Sequence, residues 1–250
     1  MKNQRGTIEL KNLWFSYERD HPVLHGVSLN IKNRERFGII GPSGAGKSTL
    51  LLHLNGILQG KGMVKIGNRE VNKNTVTEIR ARVGMVFQNP DDQLFNPTVE
   101  EDIAFGPLNM GLKPEEVKLR VKEALREMRL QGYEKKASHH LSFGERKRVA
   151  LATVLAMKPE IVAFDEPFSN LDPSMVEQLL HIIENLPATV VIVSQEIIPV
   201  VACCDRVAVL KEGKIVTTGP SYDVVKDRKL LRSCSLDFSI YESVCKKIFS

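Results

Sequence analysis

Nine consecutive residues, Gly41, Pro42, Ser43, Gly44, Ala45, Gly46, Lys47, Ser48 and Thr49, constrain this chain more than any other stretch. They follow the apolar run FGII and precede the helical pattern TLLLHLNGIL, so the spacing G-x-x-x-x-G-K-[ST] falls between a buried strand and a helix. Glycine lets the backbone curl until its N–H groups and the helix N-terminus converge on an anion. In such a loop Lys47 reaches the β- and γ-phosphates of a nucleotide and the Ser48 hydroxyl ligates Mg²⁺. All nine residues are therefore candidate contacts to a nucleoside triphosphate.

Further apolar runs, VGMVF, IVAFD, TVVIVS and VAVL, are nearly continuous, as strands buried on both faces are. Helical patterns separate them. In KPEEVKLRVKEALREMRL, Val117, Val121, Ala124, Leu125 and Met128 share one face, with Pro114 and two glutamates in the first turn. Strands alternating with helices predict an α/β fold with a mainly parallel core sheet. The beginning differs: TIELKNLWFSY, VSLNI and MVKIGN alternate as strands of an N-terminal antiparallel β layer. From about Asn89 to His139 the pattern is mostly helical, an inserted helical subdomain.

IVAFDEP adds the chemistry a phosphate loop needs. An aspartate closing a buried apolar strand calls for a charged partner, and Mg²⁺ beside the phosphates supplies one for Asp165. Glu166 then stands at the edge of the sheet facing the γ-phosphate, where a carboxylate orients and polarises the attacking water.

With 250 residues, 42% of them hydrophobic, the chain has room for one sizeable core or a core with a smaller lobe. Its net charge of +5 comes from 35 basic and 30 acidic residues mixed along the sequence, without the basic run of a nucleic-acid tail. ERKR, Glu145 to Arg148, is the densest patch and reads as a solvated helix face. Cys203 and Cys204 are adjacent, and Cys234 and Cys245 fall near the end, a pattern that fits a reducing compartment and no disulfide framework. His139 and His140 have no cysteine or acid at ligand spacing and read as loop residues. The N-terminus lacks a signal-peptide core, and no apolar run approaches the roughly 18 residues of a membrane span. Any link to a membrane is therefore expected to come through a partner.

LSFGERKR, Leu141 to Arg148, resembles the signature motif L-S-G-G-Q of ATP-binding cassette (ABC) ATPases. The resemblance runs in order along nearly the whole chain and implies a phosphate-loop NTPase of ABC type. Tyr17 resembles the aromatic that stacks on adenine, Gln88 the glutamine that contacts Mg²⁺ and senses a membrane partner, and SNLD, Ser169 to Asp172, the loop that crosses a dimer interface. Implied with it is a second ABC ATPase chain, identical or homologous, packed head to tail, with ATP between one phosphate loop and Ser142 and Gly144 of the other chain. The implied division is a nucleotide-binding core over about residues 1–88 and 157–220, a helical subdomain over 89–156 and a C-terminal helical extension over 221–250. The metal set is then Ser48, Gln88 and Asp165, and the catalytic set Glu166, Gln195 and Lys47.

FQNPDDQLFNPTVEEDIAFGPLNMGL is more specific. It looks like the ATPase subunits of energy-coupling-factor transporters, prokaryotic importers of cobalt, nickel and vitamins. On that likeness, the region Gln88 to Leu112 receives a transmembrane coupling subunit, a separate membrane subunit captures substrate, and the chain works at the cytoplasmic face of the membrane with ATP and Mg²⁺ and no nucleic acid. A soluble ABC ATPase acting on nucleic acid or ribosomes, and a nucleotide-gated scaffold with little hydrolysis, are the alternatives. Three residues depart from the family pattern. Phe143 replaces the first signature glycine, Glu145 the glutamine, and Gln195 a histidine that can bridge γ-phosphate, water and Glu166. Glutamine still donates and accepts hydrogen bonds but cannot become charged.

Overall fold

The computed structural model describes residues 6–18 and 21–236. Fourteen C-terminal residues, with Cys245 and half of the expected extension, lie outside the described set. In chain order the strands are β1 Ile8–Glu18, β2 His21–Ile31, β3 Arg36–Ile40, β4 Lys61–Ile66, β5 Arg69–Glu70, β6 Val83–Val86, β7 Ile161–Asp165, β8 Thr189–Ser194, β9 Arg206–Lys211 and β10 Lys214–Pro220. The helices are α1 Lys47–Leu54, α2 Val76–Arg82, α3 Val99–Asn109, α4 Pro114–Glu127, α5 Phe143–Leu155, α6 Pro173–Asn185, α7 Ile197–Cys203, α8 Ser221–Lys226 and α9 Arg228–Ser233.

Two sheets result. One is antiparallel in the order β2-β1-β4-β5, the N-terminal layer expected from its alternating pattern. The alternation breaks at several register shifts along β1, the first between Leu10 and Leu13, where Asn12 takes φ 49°. Opposite this bulge lies Gly62, at φ 108°, where a Cβ would collide with the Asn12 carbonyl. The second sheet has the order β10-β9-β3-β8-β7-β6, parallel throughout except for β10.

The core sheet is buried on both faces because its residues alternate between two cores. Ile161, Ala163, Val191 and Val193 point to the core shared with the antiparallel layer and α1. Val162, Phe164, Val190 and Ile192 point to the core that holds Val117, Leu125 and Val149 of the helical lobe together with Ile183 and Val200. The expected face of α4 is buried as read, with Met128 closing it. α1 is shorter than its apolar pattern suggested. It ends at Leu54 because Asn55 caps it and Gly56 turns away at φ 70°.

Register positions the site. Ile40 pairs with Ser194, and Asp165 pairs with Val193. The carboxyl ends of β3, β8 and β7 therefore lie side by side, and the residues that follow them open on a common crevice.

Candidate nucleotide site

Gly41 leaves β3 against the backbone of β9, so closely that a Cβ would overlap the Leu210 carbonyl oxygen. Gly46 caps α1 in the left-handed region, at φ 98°, a conformation open to glycine. These two residues shape the loop, and the N-terminus of α1 points into its bend. The Lys47 ammonium lies inside the curl, donating to the carbonyls of Gly41 at 2.9 Å and Pro42 at 3.1 Å. It also meets Glu166 Oε1 at 3.3 Å, with both side chains over nine-tenths buried.

Glu166 is not at a lateral edge of the sheet: β7 is interior, and the residue stands at the carboxyl end between the loop and β8. Its Oε2 accepts from Ser194 Oγ and from the Gln195 backbone N–H, each at 2.9 Å. Among the described residues Oε1 has no hydrogen-bond partner and only the ionic contact with Lys47. The Gln195 side chain is exposed, so this position serves Glu166 through its main chain, whatever side chain it carries. Ser194 was not singled out in the sequence. A hydroxyl at the carboxyl end of the apolar run Val190–Val193 is the available signal, since a buried polar group needs a partner.

Asp165 accepts from Ser48 Oγ at 2.9 Å, and burial pushes its carboxyl up from the ordinary range against that hydrogen bond. The pair fits Mg²⁺. Neighbouring ligands in an octahedral shell of radius about 2.1 Å are about 3 Å apart, the separation of these two oxygens. Gln88 is exposed two residues past β6. Tyr17 comes to the opposite side of α1, where its hydroxyl shares a hydrogen bond with Thr49 Oγ1 at 3.2 Å and its ring, 61% exposed, stands on edge against Phe15.

Behind the loop, His53 is 1% exposed. Its Nδ1 pairs with the Thr49 carbonyl at 2.7 Å while Nε2 has no partner among the described residues, and burial lowers its pKa. The unfolded chain takes up a proton below about pH 6.5, which the folded chain resists. Stability is therefore fully present above that pH and falls as pH drops, by up to about 1.4 kcal/mol per unit from this group. Thermal unfolding between about pH 7.5 and 5 should show a steeper loss for the native chain than for His53→Gln; parallel curves would remove His53 from the account.

The signature segment lies in the helical lobe. Ser142 caps α5 in a reciprocal box with Glu145, whose carboxylate accepts from the Ser142 N–H at 2.8 Å and the Tyr133 hydroxyl at 2.7 Å. The Tyr133 bond, with the Ser142 bonds, holds the Glu145 carboxyl at about 2. Glutamate in place of the family's glutamine thus completes a capping box. Gly144 packs on Met175, which a Cβ would displace. The solvated-face reading of ERKR fails. Arg146 donates to the Leu141 carbonyl at 2.7 Å and pairs with Asp91 at 2.9 Å, Lys147 donates to the carbonyls of Pro167 and Ser169, and Arg148 donates to that of Met128. Carbonyls that helix ends and loops leave free recruit these cations, which no periodicity argument counts.

In the Gln88 to Leu112 region, Phe95 and Phe105 meet edge to face at 4.8 Å and stand 65% and 46% exposed, beside Leu108 at 56%. Buried Asp102 organises the loop before α3, accepting from the backbone N–H of Phe95 and Asn96, from Asn96 Nδ2 and from Ser138 Oγ. Among the described residues no helix is long and apolar enough to cross a membrane, and no cluster of three or more His, Cys, Asp or Glu residues is placed to hold a metal.

The family described as ABC transporter matches residues 24–169. Among curated proteins, the energy-coupling factor transporter ATP-binding protein EcfA of Methanothermobacter thermautotrophicus is 47% identical over 92% of this chain and 76% of its own length. Its namesake in Methanocaldococcus jannaschii is 45% identical over 92% of this chain and 84% of its own. Among solved structures, CbiO1 from Clostridium perfringens, described as part of the ABC transporter complex CbiONQ, superposes with a TM-score of 0.80 at 33% identity, covering 96% of this chain and 98% of that one. A dimeric ATP-binding cassette in a post-hydrolysis state with ADP and phosphate superposes with a TM-score of 0.77 at 28% identity, over 86% and 98%.

Proposed function

Because the chain belongs to the ABC transporter family of ATP-binding proteins, we propose that it is the ATP-hydrolysing subunit of an energy-coupling-factor type importer. The observation that carries hydrolysis is the convergence of Lys47, the Ser48–Asp165 pair and a Glu166 carboxylate held by Ser194 and Gln195 on one crevice. The names of the relatives, EcfA and CbiO, support the importer class.

A triphosphate entering the loop meets the backbone N–H groups of Gly41 to Thr49, Pro42 excepted, and the Lys47 ammonium, which its anionic oxygens draw away from Glu166. Ser48 and Asp165 would hold Mg²⁺, which would supply charge neutralisation at the β- and γ-phosphates. Released from Lys47 and still held by Ser194, Glu166 orients water toward the γ-phosphorus and accepts its proton. Ser142, Gly144 and the N-terminus of α5 complete the site of a second chain, packed head to tail. Gln88 senses a transmembrane subunit seated against Phe95, Phe105 and Leu108, and a further membrane subunit delivers the cargo. Tyr17 stacks on adenine. The chain works peripherally at the cytoplasmic side of a prokaryotic membrane.

One experiment separates this from a scaffold that binds nucleotide with little turnover. Glu166→Gln, with ATP and Mg²⁺, is passed over size-exclusion chromatography with light scattering while the native chain is assayed for phosphate release. A dimer, with release by the native chain, is the expected result. Dimerisation without release would replace the motor by the scaffold; a monomer that binds ATP would assign the second half-site to a different ATPase chain.

A further inference from the structure

Phe143 and Lys147 sit one turn apart at the start of α5, and neither side chain enters the chemistry proposed above. The Lys147 ammonium donates to the carbonyls of Pro167 at 2.9 Å and Ser169 at 2.7 Å, on the loop that leaves Glu166. The Phe143 ring lies over the same ammonium, its centroid 5.3 Å from Nζ. Burial lowers the amine to about 8, so the ammonium has given up water for these two carbonyls.

That loop needs holding. Glu166 has φ 44° and Asn170 φ 59°, two side-chain-bearing residues in the left-handed region within five positions. Ser169 folds back onto Glu166, donating to its carbonyl from Oγ at 2.8 Å and from the backbone N–H at 3.3 Å. Asp172 ends the loop by capping α6 at the Met175 N–H. Between β7 and that cap, Lys147 is the side chain from the helical lobe that spans to the loop's carbonyls. Removing it leaves the Pro167 and Ser169 carbonyls without their cation, so the loop beyond Glu166, whose own N–H stays bonded to the Val193 carbonyl at 2.9 Å, loses its tie to α5.

We infer that Lys147, with Phe143 packed over it, is a positioning residue that ties the start of α5 to the loop carrying Glu166 and so acts with Ser194 and Gln195 to fix the direction of that carboxylate. The inference rests on the role proposed above for Glu166. It also gives a purpose to the bulky residue at position 143, where the family pattern has glycine.

The test uses Lys147→Met, which keeps the stem and removes the donors, and Lys147→Arg, which restores them. In hydrogen–deuterium exchange, Met should speed exchange at the amides of Glu166 to Asp172 by about tenfold while the amides of α5 keep native rates. Phosphate release should fall about tenfold in kcat with KM within about twofold, since a misplaced carboxylate costs turnover and not affinity. Arg should return both toward native values, and Phe143→Ala should reproduce a fraction of the Met effect. Native loop exchange in the Met variant, or a KM that rises as kcat falls, would overturn the inference. A native chain that releases no phosphate would defeat the hydrolytic reading instead, and loop exchange would still decide whether Lys147 holds the loop.

Discussion

Glu166→Gln is expected to lower ATP turnover by about a thousandfold while leaving ATP affinity within about threefold, the range set by loss of a general base. Gln is isosteric, so its amide oxygen can still accept from Ser194 Oγ and the Gln195 N–H, the two bonds that hold the native Oε2. The fold of the loop should survive for that reason, and what is lost is the proton-accepting carboxylate. On the proposed reading, affinity depends on different atoms: the backbone of Gly41 to Thr49, Lys47 and the Ser48–Asp165 pair. Replacement even removes the anion that competes with phosphate for Lys47. Single-turnover phosphate release and equilibrium binding of a fluorescent ATP analogue measure the two quantities separately. Turnover within tenfold of native would mean that water is activated without Glu166, and the catalytic assignment would fall. A parallel loss of affinity would mean that Glu166 helps to hold the loop.

The parts of this fold legible in the sequence are those in which a local pattern and its burial agree. The loop from Gly41 to Ser48, the apolar strands β3, β7 and β8, the alternating β1 and β2 and the amphipathic α4 each carry enough periodicity to be read alone. What could not be read was strand order. β8 enters between β3 and β7 from far along the chain, and that placement turns Ser194 from the end of an apolar run into a partner of Glu166. The cations of ERKR escape a local reading because their acceptors, carbonyls of Leu141, Met128, Pro167 and Ser169, belong to segments whose proximity is tertiary. Gln195 shows the reverse. Its side chain attracted the sequence argument, yet its bond to Glu166 comes from a backbone N–H that every residue but proline supplies.

Lys47→Met should have two effects that nucleotide separates. The ion pair with Glu166 is buried on both sides, and removing one member of such a pair costs about 3 kcal/mol because the remaining charge has lost its partner. For a chain of this size that is a fall in Tm of about 6–12 °C with no nucleotide added. In the double variant with Glu166→Gln, no buried charge is left over, so most of that loss should return. The remainder measures the carbonyls of Gly41 and Pro42, which lose their donor in both variants. Nucleotide gives the second effect. At about one hundred times its Kd, MgATP should stabilise the native chain by about 2.7 kcal/mol, or about 5–11 °C. Both Lys47 variants should show less than about 1 °C, because the ammonium that meets the β- and γ-phosphates is gone. If the single variant melts like the native chain without nucleotide, the Lys47–Glu166 contact contributes nothing to stability and its opening costs ATP binding nothing. Equal losses in single and double variants would place the whole cost on the loop carbonyls. Recovery in the double variant, with the nucleotide response still absent, would show one lysine exchanging a buried carboxylate for the phosphates of ATP.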